Sequence, residues 1–221
     1  MHDYYGHSTP LDKTIKLQAR AEGEEAFEKE YYHQAIGCLL YLAMGSRLDI
    51  VYAVTLLGRF SSDPSNFHWS AIKHLLCYVK ATLDMKLPLI HSLPGKEFLV
   101  GFADTDHAGD VVASKSTSGF LIYAHNIFVL WKSKKQHLVA QSTMEAELVA
   151  TTEAWKNLQW MNNVLSELGH FRTPCDRCLI YNDNESAVQM LSSGNFSTDS
   201  CYICLRFHHL IDCVAKQQLS I

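Results

Sequence analysis

A chain of 221 residues and 25.0 kDa, 48% hydrophobic and 19% charged, holds one large domain or two small ones with enough apolar matter for a packed core, which excludes wholesale disorder. Nineteen Lys and Arg against 23 Asp and Glu give a net charge of −4, which excludes a globally basic nucleic-acid binder but not a local basic patch. No apolar run approaches the roughly 20 residues of a membrane span, so no membrane partner is expected. The opening Met1-His2-Asp3-Tyr4-Tyr5 lacks the basic-then-apolar order of a secretory signal. Seven cysteines without such a signal read as reduced thiols in an intracellular chain, cytoplasmic or nuclear. Ile221 follows a polar stretch with no closing element, so a longer parent chain is expected.

Residues 1–30 are polar and charged, and Ser8-Thr9-Pro10 disfavours a helix there; they read as an extended lead-in. From Tyr31 the spacing turns helical. Ile36, Leu39, Leu40 and Ala43 form one run, Ile50, Ala53, Val54 and Leu57 a second, and Ile72, Leu75, Leu76 and Val79 a third. Gly45-Ser46 and Ser61-Ser62-Asp63-Pro64 separate them, so residues 31–94 read as a three-helix segment. Tyr41, Tyr52 and His74 fall in or beside these stripes and are expected in its core.

Past Pro94-Gly95 the period drops to that of strands: Phe98 to Phe102, Gly119 to Tyr123, Ile127 to Trp131 and His137 to Ala140. A long helix follows, about Met144 to Leu168, stopped by Gly169. Leu179 to Tyr181 is a further strand, with short helices from about Glu185 and Leu205. Hairpin-linked strands, a helix, a strand and more helices indicate an α/β layer sandwich with a mixed sheet over residues 95–221.

The long helix carries the first sign of chemistry. Its apolar stripe runs Ala150, Ala154, Leu158, Met161, Leu165 and Leu168, and extended backwards it lands on Glu147. A carboxylate on a buried face costs several kcal/mol unless paired or bound to a metal. Glu145 has a plainer role, since Ser142-Thr143-Met144-Glu145 is a capping box. Asp104 and Asp183 each follow a strand, in parity with Phe102 and with Tyr181. Ligands collect at strand ends in α/β sheets, and magnesium takes hard oxygen ligands from a few carboxylates. The bland alternatives are an N-cap for Asp183 and a turn-rich run from Asp104 to Asp110.

Between these carboxylates lies a basic stretch. From Val111 to Met144 stand Lys115, Lys132, Lys134 and Lys135 and no Asp or Glu, with hydroxyls at Ser116, Thr117 and Ser118. Lysines with hydroxyls suit a phosphate backbone, the alternative being a solvated hairpin face.

Several segments together resemble a known family. Tyr32-His33-Gln34-Ala35-Ile36-Gly37, Arg47-Leu48-Asp49-Ile50 and His68-Trp69 are similar to the segment behind the reverse transcriptase of copia-type retrotransposons. Phe102-Ala103-Asp104-Thr105-Asp106, Ser116-Thr117-Ser118-Gly119, Trp131-Lys132-Ser133-Lys134-Lys135-Gln136, Glu145-Ala146-Glu147 and Asp183-Asn184-Glu185-Ser186-Ala187 resemble the ribonuclease H domain that follows it. The resemblance implies a ribonuclease H-like fold, a mixed sheet with helices on both faces, preceded by a small helical connector. It implies an endonuclease that hydrolyses RNA in RNA–DNA hybrids with two Mg2+ ions, or Mn2+, about 3.5–4 Å apart, in a Pol polyprotein beside its reverse transcriptase. Asp104, Glu147 and Asp183 match three of the four metal-binding carboxylates. Lys115, Ser116, Ser118, Lys132, Lys134, Lys135 and Gln136 are the expected nucleic-acid contacts.

The fourth carboxylate is missing. Arg206, Phe207 and His208 set the register of the family's final motif and place Cys204 at the aspartate position. The family's Arg, Lys and His before it have also become Asp199, Cys201 and Tyr202, removing two basic groups, and His107 replaces a tryptophan. A thiol is a poor ligand for magnesium, so hydrolysis is expected to be strongly reduced or absent. Two other functions stay open: a catalytically dead nucleic-acid-binding remnant, and a structural module stapled by zinc through Cys175, Cys178, Cys201 and Cys204.

Overall fold

The computed structural model describes residues 6–12, 16–89, 99–109, 114–124, 127–169, 178–194 and 204–221, with side-chain surroundings from 207 onward in the last of these. The chain divides into two compact units, Met1–Leu87 and Pro88–Ile221. Among the described residues no helix is long and apolar enough to cross a membrane.

The first unit contains helices α1 (Lys29–Gly45), α2 (Val51–Gly58) and α3 (Asn66–Ala81), with a 3-10 turn at Leu48–Ile50. The three predicted runs supply its interior: Leu39, Ala43, Ile50, Val54, Leu57, Ile72 and Leu75 are buried. Tyr32 joins them, its hydroxyl donating to the Leu57 carbonyl. Ser65 caps α3 reciprocally with His68, and the His68 ring also bonds the Gln18 carbonyl of the lead-in. Two expected core residues are not there. Tyr41 is 86% exposed because α1 carries apolar residues on both sides and, among the described residues, it is the Tyr32, Leu39 and Ala43 side that is packed; Tyr52, on α2, is also exposed. His74 is half-buried, bonded to the Thr9 carbonyl and stacked on His7.

The second unit is built on a five-stranded mixed sheet: β1 (Leu99–Asp106), β2 (Thr117–Ala124), β3 (Ile127–Lys135), β4 (Cys178–Tyr181) and β5 (Leu219–Ser220), in the order β3-β2-β1-β4-β5. The β1–β2 and β2–β3 pairs are antiparallel and the β1–β4 and β4–β5 pairs parallel. Helix α4 (Thr143–Glu167) connects β3 to β4, and α5 (Glu185–Ser193) and α6 (Cys204–Ala215) follow. Antiparallel strands continued by parallel ones, with the long helix between, is the ribonuclease H-like arrangement implied by the resemblance.

One core unites these elements: Leu99 and Ala103, Phe120 and Ile122, Ala150, Ala154 and Leu158, Ile180, Leu191, Phe207, Leu210 and Leu219. Gly101 permits β1 to lie close to β4, since a Cβ there would meet the Ile180 side chain at 3.3 Å. On the opposite sheet face, Phe102 and Tyr181 are exposed. The expected strand from His137 to Ala140 is a loop instead. The last ladder bond of that edge is made by the Gln136 amide to the Ser116 carbonyl, one residue before β2 begins, so the chain beyond has no partner strand.

Candidate metal centre

Two strand ends and the first turns of one helix form the centre. β1 and β4 run parallel with Phe102 opposite Tyr181, so Asp104 and Asp183, each two residues further along, emerge side by side. Helix α4 starts across from them. Its N-cap is Ser142, whose hydroxyl accepts from the Glu145 amide, while the Glu145 carboxylate accepts from the Gln141 amide at 2.6 Å. Glu145 therefore serves the helix start. Glu147, one turn in, points to the strand ends.

Asp104, Glu147 and Asp183 each offer an oxygen within 4.8 Å of the others. Glu147 is 6% exposed, and both aspartates are exposed. The N-cap of α5 is Asn184, whose side chain accepts from the Ala187 amide, so Asp183 is not used for capping. Burial pushes the Glu147 carboxyl up, a hydrogen bond from Asn182 pulls it down, and the charges of Asp104 and Asp183 push it up again; the net position is above the usual carboxylate range. Three acidic groups this close, one of them buried, repel one another unless a cation lies between them, and their oxygens suit a hard divalent ion.

Around the carboxylates lies a set of neutral donors, of which Asn182 and Thr105 are not among the expected site residues. The Asn182 side-chain amide donates to Glu147 Oε2 at 2.8 Å, and lies farther from the Ala103 carbonyl and Thr151 Oγ1. The Thr105 hydroxyl and the Gln136 amide both donate to the Ala146 carbonyl, at 3.1 and 2.9 Å, and the same Gln136 nitrogen bonds Ser118 Oγ at 2.8 Å. These bonds fasten the start of α4 to the sheet. The one signal in the sequence is Asn182's parity with buried Ile180, which turns it inward.

The expected nucleic-acid contacts divide by burial. Lys132 and Lys134 are exposed and Lys115 and Lys135 half-buried, whereas Ser116, Ser118 and Gln136 are buried. Ser116 Oγ accepts from the Ala108 amide. The two serines and Gln136 thus hold the hairpin and helix in place, and Ser118 and Gln136 also border the pocket beside the lysines. Lys132, Lys134, Lys135 and His137 line a pocket of about 270 Å³ whose apolar side includes Phe120, Leu138 and Val149.

Cys204 opens α6, and its side chain lies outside the described residues, as do Cys175 and Cys201. Cys178 is buried at the start of β4. Among the described residues the one group able to hold a metal contains no cysteine.

No protein-family model matches the chain. The retrovirus-related Pol polyprotein from transposon TNT 1-94 of Nicotiana tabacum is 32% identical over 219 residues, 97% of this chain and 16% of that protein. The corresponding polyprotein from transposon RE2 of Arabidopsis thaliana is 31% identical over 215 residues, 97% of this chain and 14% of that protein. The chain belongs to the Pol polyproteins of copia-type retrotransposons. It spans about one-sixth of the length of these Pol relatives. A shorter relative, secreted RxLR effector protein 161 of Plasmopara viticola, is 40% identical over 130 residues, 59% of this chain and 90% of that protein. Among solved structures, ribonuclease H1 of Halobacterium salinarum is similar with a TM-score of 0.37 and 12% identity, covering 55% of this chain and 83% of that one. A ribonuclease H1 isolated from compost has a TM-score of 0.39 and 14% identity, covering 55% and 81%.

Proposed function

We propose that this Pol-family chain carries a retroelement ribonuclease H domain that engages RNA–DNA hybrids, with hydrolysis impaired by Cys204. The observation that supports it is the meeting of Asp104, Glu147 and Asp183 from three separate elements within 4.8 Å. The three fit Mg2+ or Mn2+ as all-oxygen ligands, and a bound pair of such ions supplies an activated water and charge neutralisation at the leaving oxygen.

The chain's own residues account for the rest. Glu147 approaches from α4 while the aspartates approach from the strand ends, which leaves the exposed aspartate side open to a phosphate. Lys132 and Lys134 hold the phosphate backbone. Selection of RNA rests on 2′-hydroxyl contacts and the shape of the hybrid. The reverse-transcriptase portion of a parent polyprotein is the proposed partner.

The test is cleavage of a labelled RNA–DNA hybrid with Mg2+ and with Mn2+. Cleavage abolished by Asp183→Asn supports the enzyme. Binding of the hybrid with no cleavage by either form supports the second reading, a nucleic-acid-binding remnant, which the missing fourth carboxylate favours. Absence of both binding and cleavage overturns the proposal.

A further inference from the structure

Asn182 stands between the end of β4 and Asp183, and its amide orientation is fixed on both sides. Oδ1 accepts from the Asn184 backbone amide at 2.9 Å, and Nδ2 faces the Ala103 carbonyl, itself an obligate acceptor. Reversing the amide would set donor against donor and oxygen against oxygen. Nδ2 is therefore a committed donor, and its shortest bond, 2.8 Å, goes to Glu147 Oε2. The Thr151 hydroxyl beneath it donates to the Glu147 carbonyl one turn back, so its oxygen is available to the same nitrogen.

Glu147 is buried beside two acidic groups, where its carboxylate has few favourable orientations. A neutral donor there holds one oxygen in place without adding charge, while the carboxylate keeps an oxygen within 4.8 Å of Asp104 and Asp183. We propose that Asn182 is a positioning residue for the metal centre: by holding Glu147 Oε2 it sets the carboxylate in the orientation that receives a divalent cation. Partners that orient a ligand in this way change metal affinity by about 10–100-fold when removed. This inference rests on the metal reading of the three carboxylates.

The experiment is Mn2+ titration of the full chain at neutral pH, followed by electron paramagnetic resonance of the free ion, with the melting temperature recorded for each variant. Asn182→Leu preserves size and removes the donor; its dissociation constant is expected to rise about 10–100-fold. Asn182→Ser retains a shorter donor and should recover part of the loss. In a Glu147→Gln background, Asn182→Leu should cause no further loss, because Asn182 acts through that carboxylate. Asn182→Leu that binds Mn2+ as tightly as the unmodified chain, whatever its melting temperature, overturns the inference and leaves the metal centre standing. If Asn182→Leu does not fold, Asn182→Ala, which also lacks the donor, binding as tightly as the unmodified chain overturns it equally. No Mn2+ uptake by the unmodified chain overturns the metal centre itself, and this inference with it.

Discussion

The ring of Phe102 stacks on that of Tyr181 with centroids 5.1 Å apart, joining β1 to β4 two residues before each strand delivers its aspartate. The stack lies on the exposed sheet face, so it contributes less to burial than to the parallel register that sets Asp104 beside Asp183. Aromatic pairs are worth about 0.5–1.5 kcal/mol beyond the area they bury. Urea unfolding of Phe102→Ala, Tyr181→Ala and the double variant should therefore give a coupling of about 0.5–1 kcal/mol. Additivity of the two single effects would remove the stack from the account of how the site is aligned.

Burial distinguishes Gln136 from the lysines that precede it in sequence, although all border one pocket. Lys132 and Lys134 are exposed, and removing one cation that neutralises a phosphate lowers the slope of log affinity against log salt by about 0.9 on duplex DNA. Hybrid binding by Lys132→Ala and by Lys134→Ala, followed by fluorescence anisotropy at several salt concentrations, should show a reduction of about that size. Gln136→Leu should leave the slope unchanged and lower stability instead. Its amide nitrogen makes two bonds while its buried Oε1 has no partner among the described residues, so the two effects partly offset and the loss is about 1 kcal/mol. A changed salt slope for Gln136→Leu would return it to the binding surface.

These residues show how much of the architecture is legible in the sequence. Glu147 is readable because the stripe of α4 is long, and Ala150, Ala154 and Leu158 are all buried. Asp104 and Asp183 are readable because each follows the end of a strand; their parity is that of the exposed Phe102 and Tyr181, so both aspartates are exposed rather than inward, and it is the strand-end position that brings them to Glu147. Ser116, Ser118 and Gln136 look like surface residues in a polar string, and only tertiary placement satisfies their hydrogen bonds internally. β5 is two residues long, too short for any period, and pairs because α6 returns the chain beside Cys178 and Leu179. Tyr41 shows the opposite error. Periodicity identifies a helix face without saying whether anything packs against it.

Acid should weaken the first unit through Asp49. Burial pushes its carboxyl up, but the Arg47 guanidinium and the Tyr78 hydroxyl outweigh burial and hold it below the usual carboxylate range. Arg47 donates at 2.9 and 2.8 Å and Tyr78 at 2.9 Å. Because the folded form binds the proton less readily than the unfolded chain, the stabilisation is complete above the unfolded carboxylate range near pH 4 and is lost as pH falls through the lower folded value. Asp49→Asn should cost about 1.5–3 kcal/mol at neutral pH, in line with hydrogen bonds to a charged group, and should reduce the loss of stability below about pH 4. Urea unfolding of the full chain at neutral and at acid pH reads both effects. Equal pH dependence in the two proteins would show that Asp49 is not the group responsible.

Cys204 offers the sharpest test of why catalysis should be impaired. It opens α6, and Phe207, three residues later and fully buried in the common core, anchors the helix there. The backbone at position 204 is thus set by packing rather than by the side chain it carries, so a carboxylate can be restored without rebuilding the helix. In the proposed enzyme, Cys204→Asp replaces a soft ligand with a hard one at the fourth metal position, and should raise Mg2+-dependent hybrid cleavage at least about tenfold, a barrier change of about 1.4 kcal/mol. Adding Asp183→Asn to that variant should abolish the gain, which shows that cleavage arises at this centre. No gain from Cys204→Asp, with hybrid binding intact, would place the defect beyond that position, in the altered residues around Asp199 and Cys201.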